Sequence, residues 1–167
     1  APKVTNIHLV HASDEDEVLT LAASLEAGSE HPLAQSIVES AKERGLTPGQ
    51  VEKFAAIAGH GVEGVVAGKH LLFGNQKLMQ DKNIAVNDAV EVAQQMASEA
   101  KTPMYFAIDG QLAAVIAVAD PIKEDSVSAI KRLQKQGIRV VMLTGDNRAT
   151  AKAVAAKVGI TEFFAEV

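Results

Sequence analysis

The chain has 167 residues, 47% hydrophobic and 22% charged, with a formal net charge of -5; that is enough to bury a core in one or two small domains. An acidic balance without a Lys/Arg cluster, with 4% aromatic residues and no tryptophan, excludes a general nucleic-acid surface or a base-stacking platform. The absence of cysteine excludes disulfides and thiolate metal sites within the chain.

The first residues, Ala1-Pro2-Lys3-Val4, include neither a starting methionine nor the apolar core of a signal peptide. The longest apolar run, Leu112 to Ala119, is far too short to span a bilayer. The expectation is a soluble segment of something longer.

Lys3 to Val10 alternates weakly and reads as a first strand. Ser13 to Glu17 starts a helix: Ser13 suits the cap, and the following acids complement the positive end of the helix dipole. Val18, Leu19, Leu21, Ala22 and Leu25 continue it at helical spacing, and Gly28 ends it. A second helix begins at His31-Pro32, because proline is tolerated in a first turn, where its missing N–H has no partner. Gly45 stops that helix, and Thr47-Pro48-Gly49 is a turn.

Strands follow. Val51 to Ala58 leads into the turn Gly59-His60-Gly61, and Gly61 to Ala67 is a strand that includes Gly64. Gly68-Lys69 reads as a two-residue hairpin turn before the return strand His70 to Phe73. Asn75 opens a short helix, and Asn87 or Asp88 caps another. Thr102 to Ile108 and Gln111 to Ala119 form a hairpin through Asp109-Gly110, a favoured tight turn.

The pattern changes at Asp120-Pro121. Glu124 to Gln136 is helical, and Gly137 caps it. Ile138 to Leu143 is a nearly continuous apolar strand of the kind buried on both faces in parallel sheets. Thr144-Gly145-Asp146-Asn147 is the loop at its carboxyl end, Arg148 to Val158 is a helix capped by Gly159, and Glu162 to Val167 begins another strand. This is the start of a doubly wound unit, in which ligands sit at the carboxyl ends of the strands. The fold class is therefore α/β (α+β), with an antiparallel sheet and flanking helices over residues 1–119 and a partial Rossmann-like segment over 120–167.

Each candidate motif has a plain structural reading. His31-Pro32 is a helix–helix turn, Gly59-His60-Gly61 a hairpin turn, Asn75 an N-cap, and Thr144 to Asn147 a turn with a helix cap. His8, His11 and His70 show no ligand spacing with carboxylates or thiols, so no metal site is expected. Residues 14–17 read as a solvated helix start.

Taken in order, Ser29-Glu30-His31-Pro32-Leu33-Ala34, Gly59-His60-Gly61-Val62, Gly74-Asn75, Asp120-Pro121 and Thr144-Gly145-Asp146-Asn147 resemble the heavy-metal-transporting P-type ATPases. The closing Phe164-Ala165-Glu166-Val167 resembles their copper and silver branch. The resemblance implies that residues 1–119 are the nucleotide-binding (N) domain. Residues 120–167 would be part of a haloacid-dehalogenase-like phosphorylation (P) domain. It implies ATP as ligand, Mg2+ in the parent enzyme, and a cytoplasmic location. The partners implied are the remaining phosphorylation, actuator and membrane domains of the pump.

By the same resemblance, Glu26, His31, Pro32, Gly59, Gly61, Val62, Gly74 and Asn75 line the nucleotide site, with Glu26 facing the adenine amino group. Thr144, Gly145 and Asp146 form the phosphoryl-stabilising loop, and Lys123 lies near phosphate charge. His60 has no assigned role. Gln76 stands where many members carry a basic residue. The family's Asp-Lys-Thr-Gly-Thr nucleophile segment does not occur here, and would precede Ala1. Its Gly-Asp-Gly-x-Asn-Asp magnesium motif is also absent, and would follow Val167. The chain alone is thus expected to bind ATP without forming a phosphoaspartate. A zinc- or cadmium-type pump, a haloacid-dehalogenase-like phosphatase and a non-catalytic interaction module are the alternatives.

Overall fold

Hydrophobic alternation builds a six-stranded sheet, and helices cover both of its faces. The structure, a computed structural model, describes residues 2–29, 31–120 and 124–167 (only the backbone for 124 and 125). Ala1, Glu30, Pro121 and Lys123 lie outside the described residues, and with them the second half of the Asp120-Pro121 motif and the phosphate reading of Lys123. The sheet contains β1 (Lys3–Leu9), β2 (Glu52–Ile57), β3 (Gly61–Val66), β4 (Lys69–Gly74), β5 (Thr102–Ile108) and β6 (Gln111–Ala119). Its order is β1-β6-β5-β4-β3-β2, and every neighbouring pair is antiparallel.

Helices α1 (Glu15–Glu26) and α2 (Pro32–Glu43) cover one face. Leu19, Ala22, Leu25 and Ile37 pack there against Val62, Phe73, Phe106 and Ile116. Helix α3 (Gln76–Asp81), a 3-10 turn at Asn87–Ala89 and α4 (Val90–Ser98) cover the other. Leu78, Met79, Ala93 and Met96 meet Leu72, Tyr105, Leu112 and Val115 on that side. Strand β6 is buried continuously from Leu112 to Val118 because alternate side chains enter different cores.

Beyond Asp120, α5 (Glu124–Lys135), β7 (Val141–Leu143), α6 (Arg148–Val158) and β8 (Glu162–Phe164) form a small unit with β7 and β8 parallel. Its core is Ala155, Val158 and Ile160 with Val127, Ile130, Met142 and Phe163. Among the described residues, no helix is long and apolar enough to cross a membrane.

Four local expectations need correction. The α1 cap is Asp14, not Ser13: Asp14 is extended, and its carboxylate accepts the Asp16 N–H at 2.9 Å. The β3–β4 turn is Ala67-Gly68 rather than Gly68-Lys69, with φ of 52° and 77°; two successive positive φ values match the twist of a two-residue hairpin. Neither Asn87 nor Asp88 caps α4, which is entered through the 3-10 turn without a side-chain cap. The strand expected over 138–143 is only three residues long and is not buried on both faces: Val141 is 39% and Leu143 69% exposed. A parallel strand is covered only when strands and helices surround it, and among the described residues β7 has β8 as its one neighbouring strand.

Gly64 lets α1 approach the sheet. A Cβ built there would come within 2.7 Å of Val51 Cγ2 and 2.9 Å of Leu25 Cδ1. Gly64→Ala should therefore destabilise the chain by about 1–3 kcal/mol through overpacking. Gly28→Ala, whose Cβ meets nothing within 4 Å, should change stability by about 0.5 kcal/mol or less. Urea denaturation of the two variants checks the contrast.

Candidate functional site

The tightest cluster of expected site residues is built on two glycines. Gly61 and Gly74 are register partners across β3 and β4. A Cβ on Gly61 would lie 2.2 Å from Phe73 O, and one on Gly74 would lie 2.1 Å from His60 O. Both positions thus need glycine for backbone-to-backbone approach, with or without a ligand. That approach lets Asn75 N–H donate to His60 O at 2.9 Å.

Asn75 then uses both ends of its amide. Its Oδ1 accepts the Leu78 N–H at 3.1 Å as the cap of α3, and its Nδ2 donates to Gly59 O at 2.7 Å. His60 closes the same turn, with Nδ1 3.0 Å from Ala58 O and Nε2 2.9 Å from Asp81 Oδ2. Gly59 has φ of 73°, and space lies open where its Cβ would be. Val62 is buried in the core beneath α1 and α2.

Glu26 and His31 flank the α1–α2 connection. His31 caps α2, its Nδ1 accepting the Leu33 N–H at 3.2 Å, and Pro32 is the first helical residue. With Nδ1 accepting, a neutral ring carries its proton on Nε2, which is left to donate outward. Glu26 is 7% exposed. Among the described residues, no hydrogen bond or ion pair to its carboxylate occurs, and burial pushes its pKa up to about 7.

Three contacts show how these groups are placed. Lys69 Nζ meets Glu17 Oε1 at 2.9 Å, so α1 starts over the β3–β4 turn. Leu25 lies against Gly64, so α1 ends toward Gly61. Tyr105 pairs with Gly74, so Thr102 extends about 10 Å beyond Gly74 at that same end. Glu26, His31, the Gly59–Gly61 turn, Asn75 and Thr102 therefore share one end of the sheet. They do not share one face: Glu26 and His31 lie on the α1/α2 side, whereas Asn75 opens α3 on the other. Among the described residues, no hydrogen bond joins the α1–α2 connection to the Gly59–Gly61 turn.

Thr144, Gly145 and Asp146 reach this end through Asp146. Its Oδ1 accepts from Thr102 Oγ1 and its Oδ2 from Thr144 Oγ1, each at 3.2 Å, while Asp146 N–H donates to Thr144 Oγ1 at 3.1 Å. The Thr144 hydroxyl is thus engaged within its own loop. Asn147 caps α6 by accepting the Thr150 N–H at 2.9 Å. Thr102, a strand residue in the sequence pattern, is a neighbour of this loop that sequence reading missed; a contact between residues 44 apart leaves no local signal.

Among the described residues, no group of three or more His, Cys, Asp or Glu is arranged to hold a metal ion. A cavity of about 480 Å³ lies apart from Glu26, His31 and the Gly59–Gly61 turn, between Glu99, Lys101, Asp120, Val127, Val154 and Lys157.

The family described as haloacid dehalogenase-like hydrolase matches residues 4–167. A copper-transporting ATPase 2 of Rhizobium meliloti (strain 1021) is 43% identical over 99% of this chain and 20% of its own length. The chain thus spans about a fifth of that relative. A zinc-transporting PIB-type ATPase in its E2.Pi state is similar in structure, with a TM-score of 0.73 at 32% identity, over 99% of this chain and 26% of that one. The catalytic domain of the CPx-ATPase CopB-B, from a study of conformational changes upon nucleotide binding, has a TM-score of 0.70 at 25% identity. That likeness covers 99% of this chain and 55% of that one.

The raised Glu26 carboxyl has a definite consequence for stability. The folded chain binds this proton more tightly than the unfolded chain, so the stabilisation it brings is full below about pH 4.5 and is lost as pH rises through about 7. Glu26→Gln should leave stability unchanged at pH 4 and raise it by about 1–3 kcal/mol at pH 8. Urea denaturation across that range measures the difference.

Proposed function

The chain belongs to the haloacid dehalogenase-like hydrolase family, and within it we propose the nucleotide-handling segment of a copper- or silver-exporting P-type ATPase. Residues 1–119 would bind ATP, and 120–167 would be part of the phosphorylation domain, on the cytoplasmic side of the membrane. The parent would couple ATP hydrolysis, through a phosphoaspartate, to metal export.

The observation that carries this reading is Glu26, a carboxyl whose pKa burial raises to about 7, at the sheet end shared with His31 and Gly59. A partly desolvated carboxylate gains from a hydrogen-bond donor, and the adenine amino group is such a donor. His31 Nε2–H would donate to a ring nitrogen. Gly59, with open space at its Cβ position, would admit the nucleotide backbone-close. Asn75 would hold the Gly59 turn, its amide being already engaged there. Gly61, Gly74 and Val62 would shape the site from beneath, and Pro32 would fix the start of the helix that bears His31.

Thr102 lies about 10 Å along and, two strands over, about 10 Å across from Gly61. An extended nucleoside triphosphate can bridge that distance toward Thr144. There the loop would stabilise charge on the transferring phosphoryl group, with the Thr144 hydroxyl turning from Asp146 to a phosphoryl oxygen. Mg2+ would accompany the triphosphate in the parent. Short helix α3 has Gln76 first and Lys77 second, so its first turn carries one basic residue.

A zinc-exporting parent is the second reading, favoured by the structural likeness to the zinc-transporting ATPase. Metal-stimulated ATPase activity of the full-length protein, assayed with Cu+, Ag+ and Zn2+, separates the two.

ATP added to this chain should shift the amide resonances around His31, Gly59 and Gly61, without acid-stable phosphorylation of the chain. Because the carboxylate form of Glu26 is the acceptor, affinity should rise as pH increases through about 7. Glu26→Gln should weaken binding about tenfold, as expected for one hydrogen bond to a charged group, and flatten the pH profile. Absence of shifts at those amides sinks the reading.

A further inference from the structure

We infer that Thr102 is a positioning residue that keeps the Thr144–Asp146 loop in register with the sheet; this rests on the nucleotide-handling reading above. The loop is already secured from its own side. Thr144 N–H donates to Phe164 O at 3.0 Å, Val167 N–H to Thr144 O at 3.2 Å, and Glu166 N–H to Asp146 O at 2.9 Å. These three backbone bonds tie it to the end of β8 and the segment that follows, so its shape does not need Thr102.

Two further bonds tie the loop and its helix to the sheet, and both come from adjacent residues. Thr102 Oγ1 donates to Asp146 Oδ1 at 3.2 Å, and Lys101 O accepts from Thr150 Oγ1 at 2.9 Å. Thr150, in the first turn of α6, is 1% exposed, so its bond is shielded from water. One bond is a pivot, whereas two bonds from neighbouring residues set an orientation. Among the described residues Asp146 has no ion-pair partner, so Thr102 is the donor that remains when Thr144 turns its hydroxyl away from the carboxylate.

Thr102 also starts β5, which pairs with β4 at Gly74. A rigid strand thus runs from the glycine cluster to the loop. Phosphoryl transfer between two groups held on separate units requires near-attack alignment, and small misplacements are costly in rate. Thr102 supplies that alignment without touching the reacting atoms.

The test uses Thr102→Val, which keeps the β-branched shape suited to a strand and removes the donor, and Thr102→Ser, which restores it. In this chain, Thr102→Val should shift the amides of residues 144–147 and leave ATP affinity within twofold of the wild type. In the full-length protein it should slow phosphorylation by ATP at least tenfold. Phosphorylation by inorganic phosphate, which needs no alignment with the sheet, should stay within twofold. Thr102→Ser should recover the ATP rate to within about threefold.

Equal loss by both routes would mean that the loop itself is damaged, and would overturn the inference. So would an ATP rate unchanged in Thr102→Val, or a Thr102→Ser as slow as the valine variant. A wild-type protein phosphorylated by neither route would instead remove the nucleotide-handling reading, and the positioning role with it.

Discussion

Burial of one sheet on both faces is the constraint from which the rest follows. Strand β6 has no solvent face, with Leu112 to Val118 covered throughout. Its neighbours must then carry helices on both sides, and α1/α2 and α3/α4 provide them. This arrangement decides where polar groups can survive. A carboxylate at the end of α1, as at Glu26, sits at the margin of a core, where water is scarce. The same helix reaches that margin only because Gly64 leaves room for Leu25.

At one end of the sheet, backbone contact replaces side-chain packing. Gly61 and Gly74 touch as no other residues in register can, and His60 O and Asn75 N–H complete the contact. The resulting turn is held by Asn75 on Gly59 and by Asp81 on His60. These bonds rigidify the turn before any ligand arrives, which lowers the ordering cost of binding. The glycines thus serve the fold and, in the proposed function, the ligand as well.

The small unit after residue 120 follows a different physical logic. Its two-stranded parallel sheet leaves Leu143 69% and Phe164 58% exposed. It gains order from the Arg148 guanidinium 5.1 Å above the Phe163 ring and from the bonds of Thr102 and Thr150 to the sheet side of the chain. The Thr144 loop therefore answers to two bodies, β8 and its tail on one side and β5 on the other.

Much of this was legible locally. Alternation and turn chemistry placed β1 to β6, because a period of two and pairs such as Asp109-Gly110 act over a few residues. The helix start at His31-Pro32 and the cap at Gly159 (φ 79°) were legible for the same reason, whereas the Nδ1 cap of His31 was not. Continuous apolarity was misleading: it marked 138–143 as the strand buried on both faces, whereas β6, in an antiparallel sheet, is buried that way. An apolar run records that a strand can be covered on both sides, but coverage depends on what is packed around it. The ordered motifs named the candidate residues, yet not that Gly61 and Gly74 meet, that Asn75 spends its amide on Gly59, or that burial raises the Glu26 carboxyl. Nor did they show Thr102 beside Asp146. Local order, helix ends and turns follow from residues a few positions apart, so the sequence by itself determined them. Burial, close approach and the state of a carboxyl depend on atoms brought together from distant positions, and only the tertiary structure decided those.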